Sequence, residues 1–369
     1  MKVLFLTDTV DCWKHGIWFH RQQIPSEALG RRGHLIKQVA MGDSFPEHLL
    51  DWPDTVIFGR TYPSHYEPIK WMKEYQKRGK RVLYDMDDDF WNVAKDNPSV
   101  LTSNANKDQY EGMIKVADAV ITPSKVLAKK FKKYFKKKVF ICPNGTSSDI
   151  YQERPKTPKD KLIIGYAGAA SHWKDLDIIA ETISELSEDH DFLFTIYGLT
   201  GEPLEAAMYH YRKIISAGLQ PEKEGYFKSA LDFYEKLKGV HLMHVPFMPP
   251  ELHPTVLSRC DFDIGLAPLV DNEFNKGKSC IKFYEYASVG TVTLASDVLP
   301  YKDEVNYRAK NTKKDWKKKL ERLIVDEAFR EKTLKEQQEW VRKNRDVSVM
   351  GVAWELACQK EGGAPVLNQ

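Results

Sequence analysis

Asp263–Ser296 reads DIGLAPLVDNEFNKGKSCIKFYEYASVGTVTLAS, and the order of its parts decides the fold class. The apolar run Asp263–Ala267 is a buried strand, stopped by Pro268. A polar loop follows with Asn272, Asn275, Lys276, Gly277 and Lys278, and a helical pattern begins near Ser279. Gly290 closes that helix, and Thr291–Ala295 is a second apolar strand. Strand, helix and strand in this order make a parallel βαβ unit. Lys278 and Lys282 lie one helical turn apart on one face, with Glu285 and Tyr286 on the next turn. A helix start flanked by lysines can hold a diphosphate, and a carboxylate a turn deeper can accept hydrogen bonds from ribose hydroxyls. The alternative is an ordinary helix with its lysines in solvent. Three charges on an otherwise apolar, half-buried helix count against it.

Working towards the N-terminus, Leu162–Asp177 (LIIGYAGAASHWKDLD) repeats the theme. A strand runs into Gly165 and Gly168, small residues continue to Ser171, and a helix follows from about Trp173. Such a turn lets a ligand approach the backbone and offers it free N–H groups. Lys174 falls in the first helical turn, where a cation does not help the helix; a bound phosphate explains it. Many α/β loops with nothing bound look similar.

The same alternation extends through the chain. Val3–Leu6, Leu35–Ala40, Thr55–Gly59, Arg81–Tyr84, Ala119–Thr122 and Val139–Cys142 read as strands, with helices over Glu67–Lys77 and Ser124–Phe135. Pro143-Asn144-Gly145 breaks the pattern, and Tyr151–Lys161 reads as a linker. Leu162–Tyr166, Asp191–Tyr197 and Val240–His244 then resume it; between the last two lies a helical stretch, Glu202–Lys238. From Lys313 the chain is helix to about Lys360, with Gly362–Gln369 a frayed tail. We expect an α/β protein of two doubly wound Rossmann-like domains facing a cleft, residues 1–150 and 151–345, with a C-terminal helix in 346–369 crossing back to the first.

Bulk properties agree. A chain of 369 residues, 42% hydrophobic and 29% charged, suits two globular domains. No apolar stretch nears the roughly 20 residues of a spanning helix, and Met1–Asp8 reads as a first strand rather than a signal peptide. Five scattered cysteines without a C-x-x-C pair argue for a reducing cytoplasm, against a disulfide framework or a zinc site. Two lysine clusters, Lys129–Lys138 and Lys310–Lys319, stand out against a net charge of only +3. Leu127, Phe131, Tyr134 and Phe135 form an apolar stripe that would turn the first cluster to water. The sharper reading is a surface for nucleic acid or for peripheral contact with an acidic membrane.

In order, these segments resemble the GT-B glycosyltransferases, close to the retaining glycosyltransferase family 4. GYAGAASHWKDLD is similar to that family's donor-phosphate turn, and KSCIKFYEYASVGTVTLAS to its signature of a Lys, a Glu-Tyr pair, a small-residue helix end and a strand. ADAVITPSKVLAKKF and VFICPNGTSSDIY resemble the approach to the second domain. The similarity covers most of Lys80–Tyr301. It implies a sugar transferred from a UDP-, GDP- or dTDP-sugar with retention, and no tightly bound cofactor. It further implies that Lys174 and Lys278 contact the diphosphate, that Glu285 binds the ribose, and that Gly168 and the Asn275–Ser279 backbone line the site, with Ser279, Lys282 and Tyr286 beside it. Two departures stand out: Ala169 replaces a usual Arg, and Gly277 replaces the first Glu of the Glu-x7-Glu motif. Glu273 or Asp271 would substitute for the carboxylate, and Lys282 for the Arg charge.

Tyr84–Trp91 (YDMDDDFW) sets four carboxylates at the end of a strand, where they repel one another. A metal reading suggests itself, but GT-B enzymes generally neutralise the leaving diphosphate with lysines and helix dipoles, so no metal is expected. Asp85, Asp87 and Asp88 are assigned instead to an acceptor hydroxyl, as ligand or base, beside the alternative of a structural turn cluster. In this fold the loop Asp8–His20, with His15, Gly16, Trp18 and His20, faces the cleft, as does Arg60. The acceptor reads as a glycan or as a modified base in DNA. Two rivals stand beside a transferase: a sugar-nucleotide epimerase, and a non-catalytic GT-B-like module holding a polyanion or glycan.

Overall fold

The computed structural model describes residues 1–7, 16–40, 47–60, 67–93, 99–168, 172–198 and 232–359. His15, Ala169, most of the 202–238 stretch and the 362–369 tail lie outside the described residues. The N-terminal half forms one sheet from β1 (Lys2–Thr7), β2 (Leu35–Ala40), β3 (Thr55–Phe58), β4 (Arg81–Asp85), β5 (Ala119–Thr122) and β6 (Val139–Ile141). These six strands run parallel in the order β2-β1-β3-β4-β5-β6. The C-terminal half repeats the design with β7 (Leu162–Ala167), β8 (Phe192–Tyr197), β9 (Leu242–Val245), β10 (Ile264–Ala267), β11 (Val292–Ser296) and β12 (Arg308–Ala309). Its parallel order is β12-β11-β10-β7-β8-β9.

Both orders reverse direction once, between β1 and β3 in the first sheet and between β7 and β10 in the second. A reversal splays the connections on either side and opens a crevice at the strands' carboxyl ends. The central strands β3, β5, β10 and β11 are buried throughout, which is why they read as continuous apolar runs. Edge strand β2 alternates, with Leu35 exposed.

Several elements depart from the sequence reading. A short helix, Glu273–Lys276, occupies part of the polar loop, capped by the Asn272 side chain accepting from the Asn275 N–H at 2.8 Å. It pushes the start of the lysine-bearing helix from Ser279 to Ile281. Two-residue β12 is too short to leave a periodic pattern. In helix Lys125–Phe135, Leu127 and Phe131 of the expected stripe are buried, together with Ala128, and Ser124 caps the helix, but Phe135 is half-buried and Tyr134, in the last turn, is exposed. Lys130 does not face water: it reaches Asp89 of the first half and Glu273 of the second.

The chain crosses between the halves twice, side by side. Thr146 N–H donates to the Arg345 carbonyl at 2.9 Å, and Val347 N–H to the Thr146 carbonyl at 2.9 Å. A Cβ at Gly145 would collide with the Arg345 carbonyl, so the break Pro143-Asn144-Gly145 needs its glycine for close approach. Helix Val347–Cys358 then lies against helix Ile24–Arg31 in the first half. Trp354 is fully buried there, its ring 6.1 Å from Phe5, and the Cys358 carbonyl accepts from Thr55 Oγ1 at 2.8 Å. No described helix is long and apolar enough to cross a membrane.

Candidate active site

A cavity of about 470 Å³ lies between the carboxyl ends of the two sheets, walled by both halves. The C-terminal wall is built from the two segments that flank the reversal in its sheet. Gly168, directly after β7, lines the cavity, and His172 follows at the start of helix Trp173–Asp189. A Cβ at Gly168 would come within 2.6 Å of the Tyr166 hydroxyl, so the backbone there is bare by necessity. From beyond β10 come Lys278, Ser279, Lys282 and Glu285.

Glu285 is buried, and three donors converge on its Oε1. The Tyr151 hydroxyl donates at 2.7 Å, His253 Nε2 lies at 3.1 Å and His20 Nε2 at 3.3 Å. Burial works to raise this carboxyl, but His253 and His20 outweigh it and hold it well below the usual carboxylate range. His253 is itself fixed, stacked on the Tyr197 ring at 5.2 Å with Nδ1 3.0 Å from the Tyr197 hydroxyl. His20 comes from the first half, so the ionised carboxylate is a joint between the halves.

The two lysines have no carboxylate within ion-pair distance among the described residues. Lys282 Nζ lies 5.3 Å from the Tyr166 ring centroid and Lys278 Nζ 5.0 Å from that of Phe274. Burial and the neighbouring charge of Lys278 depress the Lys282 ammonium to about 8, against the pull of Asp175 and Glu285. Two ammonium groups held together on a half-buried wall destabilise each other until an anion sits between them.

The opposite wall carries the Asp-rich turn, and its carboxylates part ways. Asp85 is buried in a bidentate pair with Arg21, whose Nε and Nη2 donate at 2.9 and 2.6 Å. Arg21 also donates to the Cys142 carbonyl and to Asn144 Oδ1, each at 2.8 Å, and Asn144 Nδ2 donates to Ser279 Oγ at 2.8 Å. Asp85 thus anchors the crossover and does not line the cavity. Buried Asp89 pairs with Lys130. Asp87 and Asp88 remain on the cavity wall, sharing Arg60 at 3.1 and 3.6 Å. Burial and the charge of Asp87 push Asp88 up to about 6, opposed by Lys278 and Arg60.

Other predicted residues stand elsewhere. Lys174 is exposed on a separate shallow cavity with Asp177, Asp232, Glu235 and Lys236, not on the one that holds Lys278. Asn275 is buried and donates from Nδ2 to the Val270 carbonyl at 2.9 Å. Gly277 is a contact between the halves, its carbonyl accepting from Ser124 Oγ at 2.7 Å. Tyr286 is a strap: its hydroxyl accepts from Ala167 N–H at 2.7 Å and donates to the Leu266 carbonyl at 3.4 Å, tying β7 to β10 behind the cavity. Glu273 is turned to Lys276 and Lys130, and Asp271 is exposed; neither lines the cavity. Sequence reasoning passed over His172, Tyr151 and His253. His172 lay in the quoted Gly-rich segment, and its i, i+3 spacing to Asp175 was the available signal.

No protein-family model matches the chain. No curated protein matches it either. Solved structures do. An α-glucosyltransferase (AGT) in complex with UDP superposes with a TM-score of 0.66 at 11% identity, over 97% of this chain and 100% of that one. An α-glucosyltransferase with UDP and a 13-mer DNA containing an HMU base gives 0.63 at 13% identity, over 97% and 99%. A UDP-forming α,α-trehalose-phosphate synthase from Burkholderia vietnamiensis gives 0.60 at 11% identity, over 96% of each chain. The likeness is one of architecture: two parallel sheets facing a cleft, with a helical C-terminus, is the GT-B fold.

Proposed function

We propose that this chain is a glycosyltransferase that moves a sugar, with retention, from a nucleoside-diphosphate sugar, UDP-linked in the first instance, to an acceptor hydroxyl. The observation that carries the reading is the pair Lys278 and Lys282, without carboxylate partners among the described residues, on one cavity wall with an ionised, buried Glu285. In this reading the lysines hold the diphosphate and Glu285 accepts the ribose hydroxyls. As the glycosidic bond to the β-phosphate breaks, negative charge grows on the departing diphosphate, where two fixed ammonium groups stabilise it more than the bound donor. The phosphate role that the resemblance gave to Lys174 falls to Lys282. Asp88, with Arg60 and Asp87, receives the acceptor and takes its proton. Asp85 positions this turn through Arg21.

The acceptor is the second half of the proposal, a hydroxyl on a modified DNA base ahead of one on a glycan. Lys129, Lys132, Lys133 and Lys136 are exposed without ion-pair partners among the described residues, on and just after the helix whose Lys130 joins Asp89 of the first half to Glu273 of the second. One solved neighbour was captured with DNA bearing an HMU base. The experiment incubates the purified chain with UDP-, GDP- and dTDP-sugars and follows mass shifts of hydroxymethylated DNA and of glycan acceptors. A mass gain of one sugar is expected with a UDP-sugar. Nucleotide-sugar binding with neither transfer nor hydrolysis would support the non-catalytic rival, and interconversion of the donor without an acceptor would support the epimerase.

A further inference from the structure

His172 lines the cavity, and its Nδ1 is 2.6 Å from Asp175 Oδ2. Asp175 is buried, and its other oxygen accepts from Val270 N–H at 2.7 Å, so the carboxylate cannot swing away. An ionised carboxylate only accepts, so the imidazole proton sits on Nδ1. Nε2 therefore carries a bare lone pair, and no described residue donates to it. Burial, with the charges of Lys282 and Lys278 added to it, holds the imidazole down to about 3, which keeps it neutral. A neutral imidazole locked in this tautomer cannot donate to a phosphate oxygen. It can only accept.

We infer that His172 is a specificity-determining residue whose Nε2 accepts a hydrogen bond from one hydroxyl of the transferred sugar. The inference rests on the proposed transferase reading. There, Lys278 and Lys282 fix the diphosphate beside His172, and the ribose goes to Glu285. The remaining hydroxyl donors near the diphosphate are those of the sugar bonded to its β-phosphate. His172, held by Asp175, is a polar acceptor on the same cavity wall as Lys278 and Lys282. A site built to pair a substrate hydroxyl rejects the analogue lacking it, because the site's own polar group is then stranded.

The test uses the nucleotide sugar that the wild-type chain turns over, together with its forms lacking each sugar hydroxyl in turn and its 2′-deoxyribose form. Wild type is expected to prefer the parent over one deoxy-sugar by about tenfold or more in kcat/KM. In His172→Phe that ratio should collapse towards one at that position alone, while His172→Gln, whose amide oxygen can accept, should restore part of it. Asp175→Asn, which frees the imidazole to carry its proton on Nε2, should also collapse it. Because the readout is a ratio, a partly unfolded preparation does not alter it. Discrimination unchanged in both His172→Phe and Asp175→Asn would overturn the inference, as would a lost preference at the ribose in place of the sugar. A wild-type chain that neither binds nor turns over any nucleotide sugar would overturn the transferase reading itself.

Discussion

Replacing Asp88 by Asn should make the protein more stable and a poorer enzyme, with a pH signature that identifies the cause. Asp88 is pushed from the ordinary 3.8 to about 6 by burial and by Asp87, with Lys278 and Arg60 opposing. A shift of about two units corresponds to at most about 3 kcal/mol of folding free energy above pH 7. The sign follows from proton counting. Between about pH 4 and 6 the folded state holds a proton on Asp88 that the unfolded chain has released, so wild-type stability falls as pH rises through that window. Above it the penalty is constant; below it the penalty vanishes. Asp88→Asn keeps the size and removes the titration. Denaturant midpoints for both proteins should therefore agree near pH 4 and separate, with the variant ahead, by pH 8. In the same preparations transfer should fall by about 10²–10⁴ if the carboxylate takes the acceptor's proton. A variant less stable than wild type at pH 8, or a stability gap that does not change with pH, would refute the assignment of a strained carboxylate. Unchanged transfer would refute its role.

Lys282→Met should lower kcat by about tenfold to a thousandfold with a smaller change in nucleotide affinity, since the leaving diphosphate gains charge in the transition state; steady-state kinetics with varied donor checks the split. Arg21→Met strands the buried carboxylate of Asp85 and loosens Asn144, and should cost about 3–5 kcal/mol in thermal or denaturant unfolding. Transfer should survive EDTA in metal-free buffer, because Asp85 is turned to Arg21 and Asp89 to Lys130; transfer abolished by the chelator, restored by manganese and lost in Asp87→Asn would require a metal at the turn.

The fold was legible because central parallel strands are apolar on both faces and the helices between them carry their own caps and stripes. Ser124 before Lys125–Phe135 and Gly290 after the signature helix are such marks. That Lys278, Lys282 and Glu285 line one cavity was legible because charge on a half-buried helix is costly unless something needs it. What was not legible is partnership across the halves. Nothing local links His20 to Glu285, Lys130 to Glu273 or Asn144 to Ser279; these meet only when the last helix and the crossover draw the halves together. Lys174 shows the converse. Its place in the turn resembled a phosphate ligand, but the helix rotates it outward while His172, two residues earlier, faces in. A register of two residues at a helix start is decided by packing, here of buried Trp173, and not by composition.

The four carboxylates of the Asp-rich turn are one side chain in four environments, and their differences carry the last prediction. Asp85 has a whole guanidinium, Asp89 an ammonium, and Asp87 the nearer arm of Arg60. Asp88 has the farther arm and, across the cleft, the field of Lys278. Its compensation thus depends on a residue assigned to the donor's diphosphate. When the diphosphate settles on Lys278, the positive field that holds Asp88 down is cancelled, and the carboxylate becomes a stronger base once the donor is in place. The acid limb of kcat, which reports the complex, should then lie at higher pH than the acid limb of kcat/KM for the donor, which reports the free enzyme. Lys278→Met removes that field in both states and should bring the two limbs together. Coincident limbs in the wild type, or a separation that survives Lys278→Met, would mean that Asp88 does not sense the donor.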